Sequence, residues 1–180
     1  MRAPWQLTVV HAADLGPRRW REVRLLLDDA FAGDVDDTDL DHARGGLHVL
    51  AHLDGALVGH AALVQRNLVA GGRPLRAGYV EAVAVAAAHR RRGLGSALMG
   101  AVEDLADRAH EAVFLGASDD GARLYRARGW RVWTGPTGVM TPEGVRATPG
   151  DDGGVHVHDP AAARDVTTRL LCDWRAGDVW

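Results

Sequence analysis

Apolar residues recur along this chain with two different periods, and the switches between them lay out its elements. Gln6 to Val10 reads as a short strand. Pro17 opens a helical stretch that sets Trp20, Val23, Leu27 and Phe31 on one face and stops at Gly33. An Asp-rich piece follows, suited to a short helix capped by Asp37 or Thr38, and Gly45-Gly46 breaks it. Leu47 to Leu53 and Ala56 to Val69 read as strands joined at Asp54-Gly55, residues that accept the positive φ of a hairpin turn. Gly71-Gly72 turns the chain into Leu75 to Val85, where Val80, Val83 and Val85 mark a buried strand.

From Gly93 to Ala109 the set Leu94, Leu98, Ala101, Val102, Leu105 and Ala109 keeps helical spacing. Ala112 to Ala117 is a short apolar strand, Ser118 or Asp119 caps a helix through Tyr125, and Gly129 stops it. Trp130 to Trp133 resumes as strand. The Gly- and Pro-rich segment from Gly135 to Gly154 reads either as a long excursion or as a hairpin, and Arg164 to Trp180 holds a strand near Thr167 to Cys172. The order is β, α, a β-meander, then β-α-β-α-β, with no internal repeat and no Ser- or Pro-rich linker. A single mixed α/β (α+β) domain over residues 1–180 is expected.

Composition narrows the functional classes. With 47% hydrophobic residues in 180, the chain can bury a core. Cys172 is alone and no Cys/His pair repeats at zinc-finger spacing, so neither a disulfide scaffold nor a structural zinc is expected. His156-x-His158 would share a strand face without a third ligand, so no metal is expected either. Met1 to Leu15 lacks an apolar leader core, and no stretch approaches the ~20 apolar residues that span a bilayer, which points to the cytoplasm and away from membranes. The net charge is -3, and all 21 basic residues are Arg, a balance that argues against nucleic-acid partners. Asp28, Asp29, Asp34, Asp36, Asp37, Asp39 and Asp41 crowd one stretch, either as a solvated face or as a docking surface for a cation.

The candidate chemistry centres on Arg90-Arg91-Arg92-Gly93-Leu94-Gly95, between the strand ending at Val85 and the long helix. Glycines there let backbone N–H groups approach an anion at a helix N-terminus, and the arginines can pair with phosphate; the same run would also serve as a solvated face. A chain without Lys cannot supply a P-loop, and Leu98 stands where the dinucleotide fingerprint needs its third Gly.

Arg90, Gly93 and Gly95 match [Arg/Gln]-x-x-Gly-x-[Gly/Ala], and in this respect the chain resembles the GCN5-related N-acetyltransferases (GNAT), whose acetyl-CoA loop has that pattern. Phe31-Ala32-Gly33-Asp34, Gly78-Tyr79-Val80-Glu81, Leu124-Tyr125 with Arg128-Gly129-Trp130, and the run from Cys172 to Trp180 are similar to segments of the actinobacterial aminoglycoside 2'-N-acetyltransferases. The resemblance spans nearly the whole chain. It implies a mixed, mostly antiparallel central sheet flanked by helices, acetyl-CoA as cosubstrate, direct transfer to a 2'-amine in a ternary complex, aminoglycoside resistance, and a homodimer.

It also implies site residues. Acetyl-CoA would meet Val83, Ala84, Val85, Arg90, Arg91, Arg92, Gly93, Leu94 and Gly95, with the Val83 N–H as oxyanion donor where the fourth strand splays from the fifth. The polycationic substrate would meet Asp34, Asp39, Glu81, Ala82, Asp151, Asp178 and Trp180. An amine that is ammonium at pH 7 needs a base, a role for Glu81, directly or through an ordered water, or with the Trp180 carboxylate; otherwise Glu81 is a salt-bridge or turn carboxylate. Tyr125 would protonate the departing thiolate, or else only pack its ring. Asp151 and Asp152 are equivalent candidates by spacing, and Gly116 stands where some relatives carry a hydroxyl. The same chemistry could serve an endogenous amino sugar or polyamine, and a non-catalytic acyl-CoA-binding sensor would keep only the loop.

Overall fold

The structure, a computed structural model, describes residues 4–180, and for Asp119 and Asp120 the backbone course alone. The elements run β1 (Gln6–His11), α1 (Ala12–Ala30), α2 (Asp37–His42), β2 (Leu47–Leu53), β3 (Ala56–Ala70), β4 (Arg73–Val85), α3 (Leu94–Ala109), β5 (Ala112–Gly116), α4 (Asp119–Ala127), β6 (Arg131–Val132), β7 (Thr137–Thr141), β8 (Gly144–Ala147), β9 (Val155–His158) and β10 (Leu170–Asp173). Two compact units divide them, Met1–Val64 with Val80–Asp104 and Gln65–Tyr79 with Leu105–Trp180. The first three residues of the expected leaderless start lie outside the described residues, as does the side chain of Asp119, the alternative cap of α4.

In the first unit, β2 lies between β1 and β3, antiparallel to both, and β3 neighbours β4. Val23, Leu26 and Leu27 of α1 join Leu15, Leu50 and Ala84 in a buried core, with Trp20 and Leu40 packed against it. Each such side chain contributes about 1.5–3 kcal/mol on burial. A short turn capped by His11, which accepts a hydrogen bond from the Ala13 N–H (3.2 Å), precedes the expected start; Gly16, at φ 65°, is non-helical and ends that turn, and the main helical run opens at Pro17 as expected. It ends at Ala30 rather than Gly33, because Ala32 (φ 55°) and Gly33 (φ 81°) are left-handed. Gly59 lets α3 close on β3: a Cβ there would meet Leu98 Cδ1 at 3.0 Å.

In the second unit the strand order is β6-β9-β5-β4-β3-β10-β7-β8. The β4–β5 and β10–β7 pairs are parallel, and β5–β9, β6–β9, β10–β3 and β7–β8 are antiparallel. The mixed, mostly antiparallel sheet with flanking helices is the architecture expected. The Gly- and Pro-rich segment takes the hairpin alternative, β7 and β8 joined across Pro142-Glu143. The last strand is shorter than expected and begins at Leu170, because Asp165 Oδ1 accepts bonds from the Thr167 N–H (2.9 Å) and hydroxyl (2.6 Å) and folds that stretch into a turn. Trp133 is fully buried, its ring 5.9 Å from that of Phe114 and its indole N–H on the Thr168 carbonyl (2.8 Å). Among the described residues no helix is long and apolar enough to cross a membrane.

Candidate active site

The anion-binding geometry begins where β4 ends. Arg91 (φ 60°) and Gly93 (φ 85°) are left-handed and turn the chain into α3. Ala97 N–H bonds the Gly93 carbonyl at 3.0 Å, so the first-turn amides before it have no partner inside the helix and lie at its positive end. Arg91 and Arg92 are exposed. The Arg90 guanidinium instead reaches back to the carbonyls of Ala30 (2.9 Å) and Val85 (3.1 Å), fixing the loop on α1 and β4. Backbone, dipole and two free-standing cations therefore suit a pyrophosphate, and Arg90 shapes the loop.

Upstream in β4 sit Glu81, Ala82 and Val83, all half-buried. The irregularity expected in this strand is present: Ala82 has φ 53°, a left-handed residue inside a β-strand, which breaks the alternation of side chains and amides on either side of it. The β4–β5 ladder comprises Ala77, Gly78 and Tyr79 opposite Ala112, Val113 and Phe114.

The acidic stretch is more structured than a solvated face. Arg24 binds Asp28 (2.9 Å), Asp37 (2.7 Å) and the Val35 carbonyl (3.1 Å), and Arg44 binds Asp41 (2.6 Å). Asp36 caps α2, and Asp39 returns a bond from its Oδ2 to the Asp36 N–H (3.0 Å), closing a capping box. Hydrogen bonds to its Oδ1 hold the Asp36 carboxyl below its usual range. Asp39 thus keeps one oxygen for other work. Asp34, exposed, has no side-chain partner among the described residues.

In the second unit the chain end is built in rather than frayed. Trp180 is 7% exposed, its indole N–H on Thr148 Oγ1 (2.9 Å) and its amide on Asp178 Oδ1 (3.2 Å). Arg66, 4% exposed, donates to Asp173 Oδ1 (2.9 Å), the Asp173 carbonyl (2.9 Å) and the Val179 carbonyl (2.8 Å), and lies over the Tyr79 ring at 4.8 Å. Arg175 holds the Asp178 carbonyl at 2.8 Å and stands 5.6 Å from the same ring. Asp151 and Asp152 part company here. Asp152 accepts from the Thr137 amide and hydroxyl, each at 2.8 Å, and anchors β7. Burial, then repulsion from Asp178 and Asp152, raises the Asp151 carboxyl above its ordinary range. A hydrogen bond from Thr148 opposes that rise, and Asp178 accepts the Trp180 amide, so both carboxylates are held by residues that also hold Trp180.

Tyr125 lies in α4, capped by Ser118 through the Gly121 N–H (3.2 Å). Its ring is 5.8 Å from Trp130 and 6.1 Å from His156, and burial pushes its phenol up to about 12. A Cβ on Gly121 would meet the ring at 3.0 Å, so glycine here admits it. The hydroxyl has no bonded partner among the described residues. Cys172 is buried, its thiol pushed up to about 11, chiefly by burial, and is no nucleophile at neutral pH. Among the described residues no group of three His, Cys, Asp or Glu side chains is arranged around a metal position.

The first unit holds Asp34, Asp39, Glu81, Ala82, Val83, Ala84, Val85 and the Arg90–Gly95 loop, and the second holds Asp151, Asp178, Trp180 and Tyr125. Sequence reasoning missed Arg66 and Thr148. Arg66 stands in inward phase with Leu68, between exposed Gln65 and Asn67, and that parity was the available signal. Nothing in the sequence marked Thr148.

The acetyltransferase (GNAT) domain family matches residues 13–133. An aminoglycoside 2'-N-acetyltransferase of Mycolicibacterium fortuitum is 45% identical over 176 residues, 96% of this chain and 90% of that protein. Among solved structures, the GNAT family N-acetyltransferase YhbS of Escherichia coli in complex with CoA superposes with a TM-score of 0.67 at 18% identity, covering 96% of this chain and 91% of its own. An acyl-CoA N-acyltransferase from Pseudomonas aeruginosa gives 0.62 at 20% identity, over 86% and 99%. The two structures share the fold with this chain.

Proposed function

Because this chain belongs to the GNAT acetyltransferase family, we propose that it moves the acetyl group of acetyl-CoA to the 2'-amine of an aminoglycoside, in a ternary complex and as one domain over residues 1–180. The observation that supports the substrate class is the buried Trp180, whose amide is held by Asp178 and whose indole is held by Thr148, three residues before Asp151, an aromatic face with carboxylates by it for an ammonium-bearing sugar. The Mycolicibacterium relative, named for this reaction, supports the regiochemistry.

Acetyl-CoA supplies an activated acyl thioester. The amides at Gly93, Leu94 and Gly95, with Arg91 and Arg92, hold its pyrophosphate, and the main chain of Val83, Ala84 and Val85 takes the pantetheine. Asp34, Asp39, Ala82, Asp151, Asp178 and Trp180 hold the polycation. Glu81 accepts a proton from the bound ammonium, freeing its lone pair, and the Val83 N–H donates to the carbonyl oxygen as charge gathers there. Tyr125 donates to the departing sulfur. A phenol near 12 remains protonated at all working pH values, and a thiolate, whose ordinary pKa is about 8.5, takes its proton only as the bond to sulfur breaks.

The product amide is uncharged, so the drug loses one of its cations and the cell that makes the enzyme tolerates it. The resemblance also favours a homodimer acting in the cytoplasm. The test is release of CoA thiol with tobramycin, which has a 2'-amine, beside kanamycin A, which has a 2'-hydroxyl. Turnover with tobramycin alone is expected. Equal turnover rejects the 2' assignment, and none with either redirects the reading to an endogenous amino sugar or polyamine, or to a non-catalytic acyl-CoA sensor.

A further inference from the structure

Two buried histidines lie behind the kink in β4. His48 on β2 and His60 on β3 are both fully buried. His48 is registered opposite Ala62, which puts His60 on the same sheet face one diagonal step away. Their rings touch at Nδ1 of His48 and Nε2 of His60, 2.8 Å apart, and the Nδ1 of His60 is 2.7 Å from the carbonyl oxygen of Ala82.

The hydrogens in this chain are dictated by its end. A carbonyl only accepts, so His60 donates to Ala82 from Nδ1; in the neutral ring its Nε2 is then a lone pair, which His48 fills by donating from Nδ1 rather than toward the Ala43 backbone, the other acceptor beside that ring. Burial supports both rings being neutral, lowering His60 to about 3 and His48 to about 4. Trp20 closes the far side, its ring edge-on to His48 at 5.1 Å under the Arg44 guanidinium. Four elements, α1, β2, β3 and β4, thus fix one proton position.

A pair of imidazoles in an apolar core is a poor way to gain stability, since polar groups resist burial and two leucines would fill similar space. Ala82, moreover, is an L-residue with a Cβ held at φ 53°, where glycine would sit without strain. An unstrained strand would turn the Ala82 carbonyl elsewhere and rotate the next peptide N–H, that of Val83. We propose that His60, with its tautomer locked by His48, is a positioning residue: its Nδ1–H holds the Ala82 carbonyl, and so keeps the left-handed kink that aims the Val83 amide and sets Glu81. This rests on the acetyltransferase reading above, in which Val83 and Glu81 meet the reacting atoms.

The test compares His60→Leu, which lacks the donor, with His60→Asn, whose amide nitrogen occupies the same place one bond beyond Cγ. Positioning that acts in the transition state predicts that His60→Leu lowers kcat by about 10–100-fold and leaves KM for acetyl-CoA within about twofold. His60→Asn recovers most of kcat. The Val83 backbone amide resonance shifts in His60→Leu and returns in His60→Asn. Should the leucine variant not fold, His60→Gln, polar but without a donor at the δ position, replaces it. Equal kcat in the two variants, wild-type kcat in the leucine variant, or an unmoved Val83 amide overturns the proposal. So does an imidazole nitrogen spectrum of the wild type with the His60 proton on Nε2. A wild type that acetylates no amine rejects the acetyltransferase reading instead, and the imidazole and Val83 resonances still decide the placement of the proton and the kink.

Discussion

A methyl group on Gly116 would meet the carbonyl carbon of Trp180 at 3.3 Å and the Tyr79 hydroxyl oxygen at 3.4 Å. The end of β5 is glycine because the last residue of the chain and a buried tyrosine occupy the space of its side chain. The hydroxyl that some relatives carry there has no room unless Trp180 moves. Gly116→Ser is therefore expected to push back the Trp180 main chain and with it the indole it carries, cost about 1–3 kcal/mol by overpacking, and raise KM for the amine several-fold more than KM for acetyl-CoA. Trp fluorescence and the two KM values read this directly; unchanged values for both would mean that the Trp180 side chain does not meet the substrate.

Arg66 ties the same region from below. Its three bonds to Asp173 and the Val179 carbonyl come from a guanidinium almost wholly out of water, while Asp173 is partly solvated. Arg66→Leu takes these bonds from a half-buried carboxylate and from the Asp173 and Val179 carbonyls, a loss of about 2–4 kcal/mol. Amide exchange of residues 174–180 is expected to rise well above that of the rest of the chain. Arg66→Lys keeps the charge but not the fork, and should fall between. Uniform exchange across the chain in both variants would show that the latch is no local structure.

The acidic residues after Pro149 separate cleanly by experiment. Asp152→Asn weakens the bonds to the Thr137 amide and hydroxyl, and is expected to lower Tm with little effect on KM for the amine. Asp151→Asn removes one member of a repelling pair, so stability should hold or rise slightly while KM for the amine rises about 10-fold, the loss of roughly one charge-assisted contact. The KM effect should shrink with added salt. The reverse assignment of the two phenotypes would transfer the substrate contact to Asp152.

Much of this was legible in the sequence where local rules act alone. The period of the apolar residues set β2, β3 and α3 almost to the residue, and Gly93, left-handed just before α3, announced the turn into that helix, because dihedral freedom and helix ends are local properties. What escaped was set at a distance. The short turn ahead of Pro17 depends on a cap from His11, the end of α1 on left-handed Ala32, and the last strand on Asp165 folding Thr167 into a turn. The choice between Asp151 and Asp152 required Thr137, fifteen residues from Asp152, to take one of them. The resemblance led to an irregular fourth strand, but nothing in the sequence marked Ala82 as its place; a glycine would have been a hint, and alanine hides it.

Tyr125 gives a test of chemistry without one of folding. Its hydroxyl makes no bond within the described protein, so Tyr125→Phe should leave Tm within about 0.5 kcal/mol equivalent of wild type while kcat falls about 100-fold, the usual contribution of a positioned acid. Because burial holds the phenol up to about 12, no alkaline loss of activity traceable to this group is expected below pH 11. Full activity in the phenylalanine variant would assign proton delivery to water.

The buried histidines also couple stability to pH, in a direction that follows from their protonation. In the unfolded chain both rings titrate near ~6.5; in the folded chain His48 is lowered to about 4 and His60 to about 3, by burial first in each case. Between these values the unfolded state binds protons that the folded state refuses. Their contribution is complete above pH 6.5 and is lost as the pH falls toward 4, at about 1.4 kcal/mol per pH unit for each ring. Urea midpoints measured from pH 7 to pH 5, above the range in which carboxylates dominate, should therefore fall steeply. His110 and His156, also lowered by burial, add to the same slope, so His48→Phe, which removes one of these titrations, should make the slope over that window shallower without abolishing it, whatever it does to the midpoint at pH 7. A wild-type midpoint that stays flat across the window would mean that the pair takes up protons in the folded state.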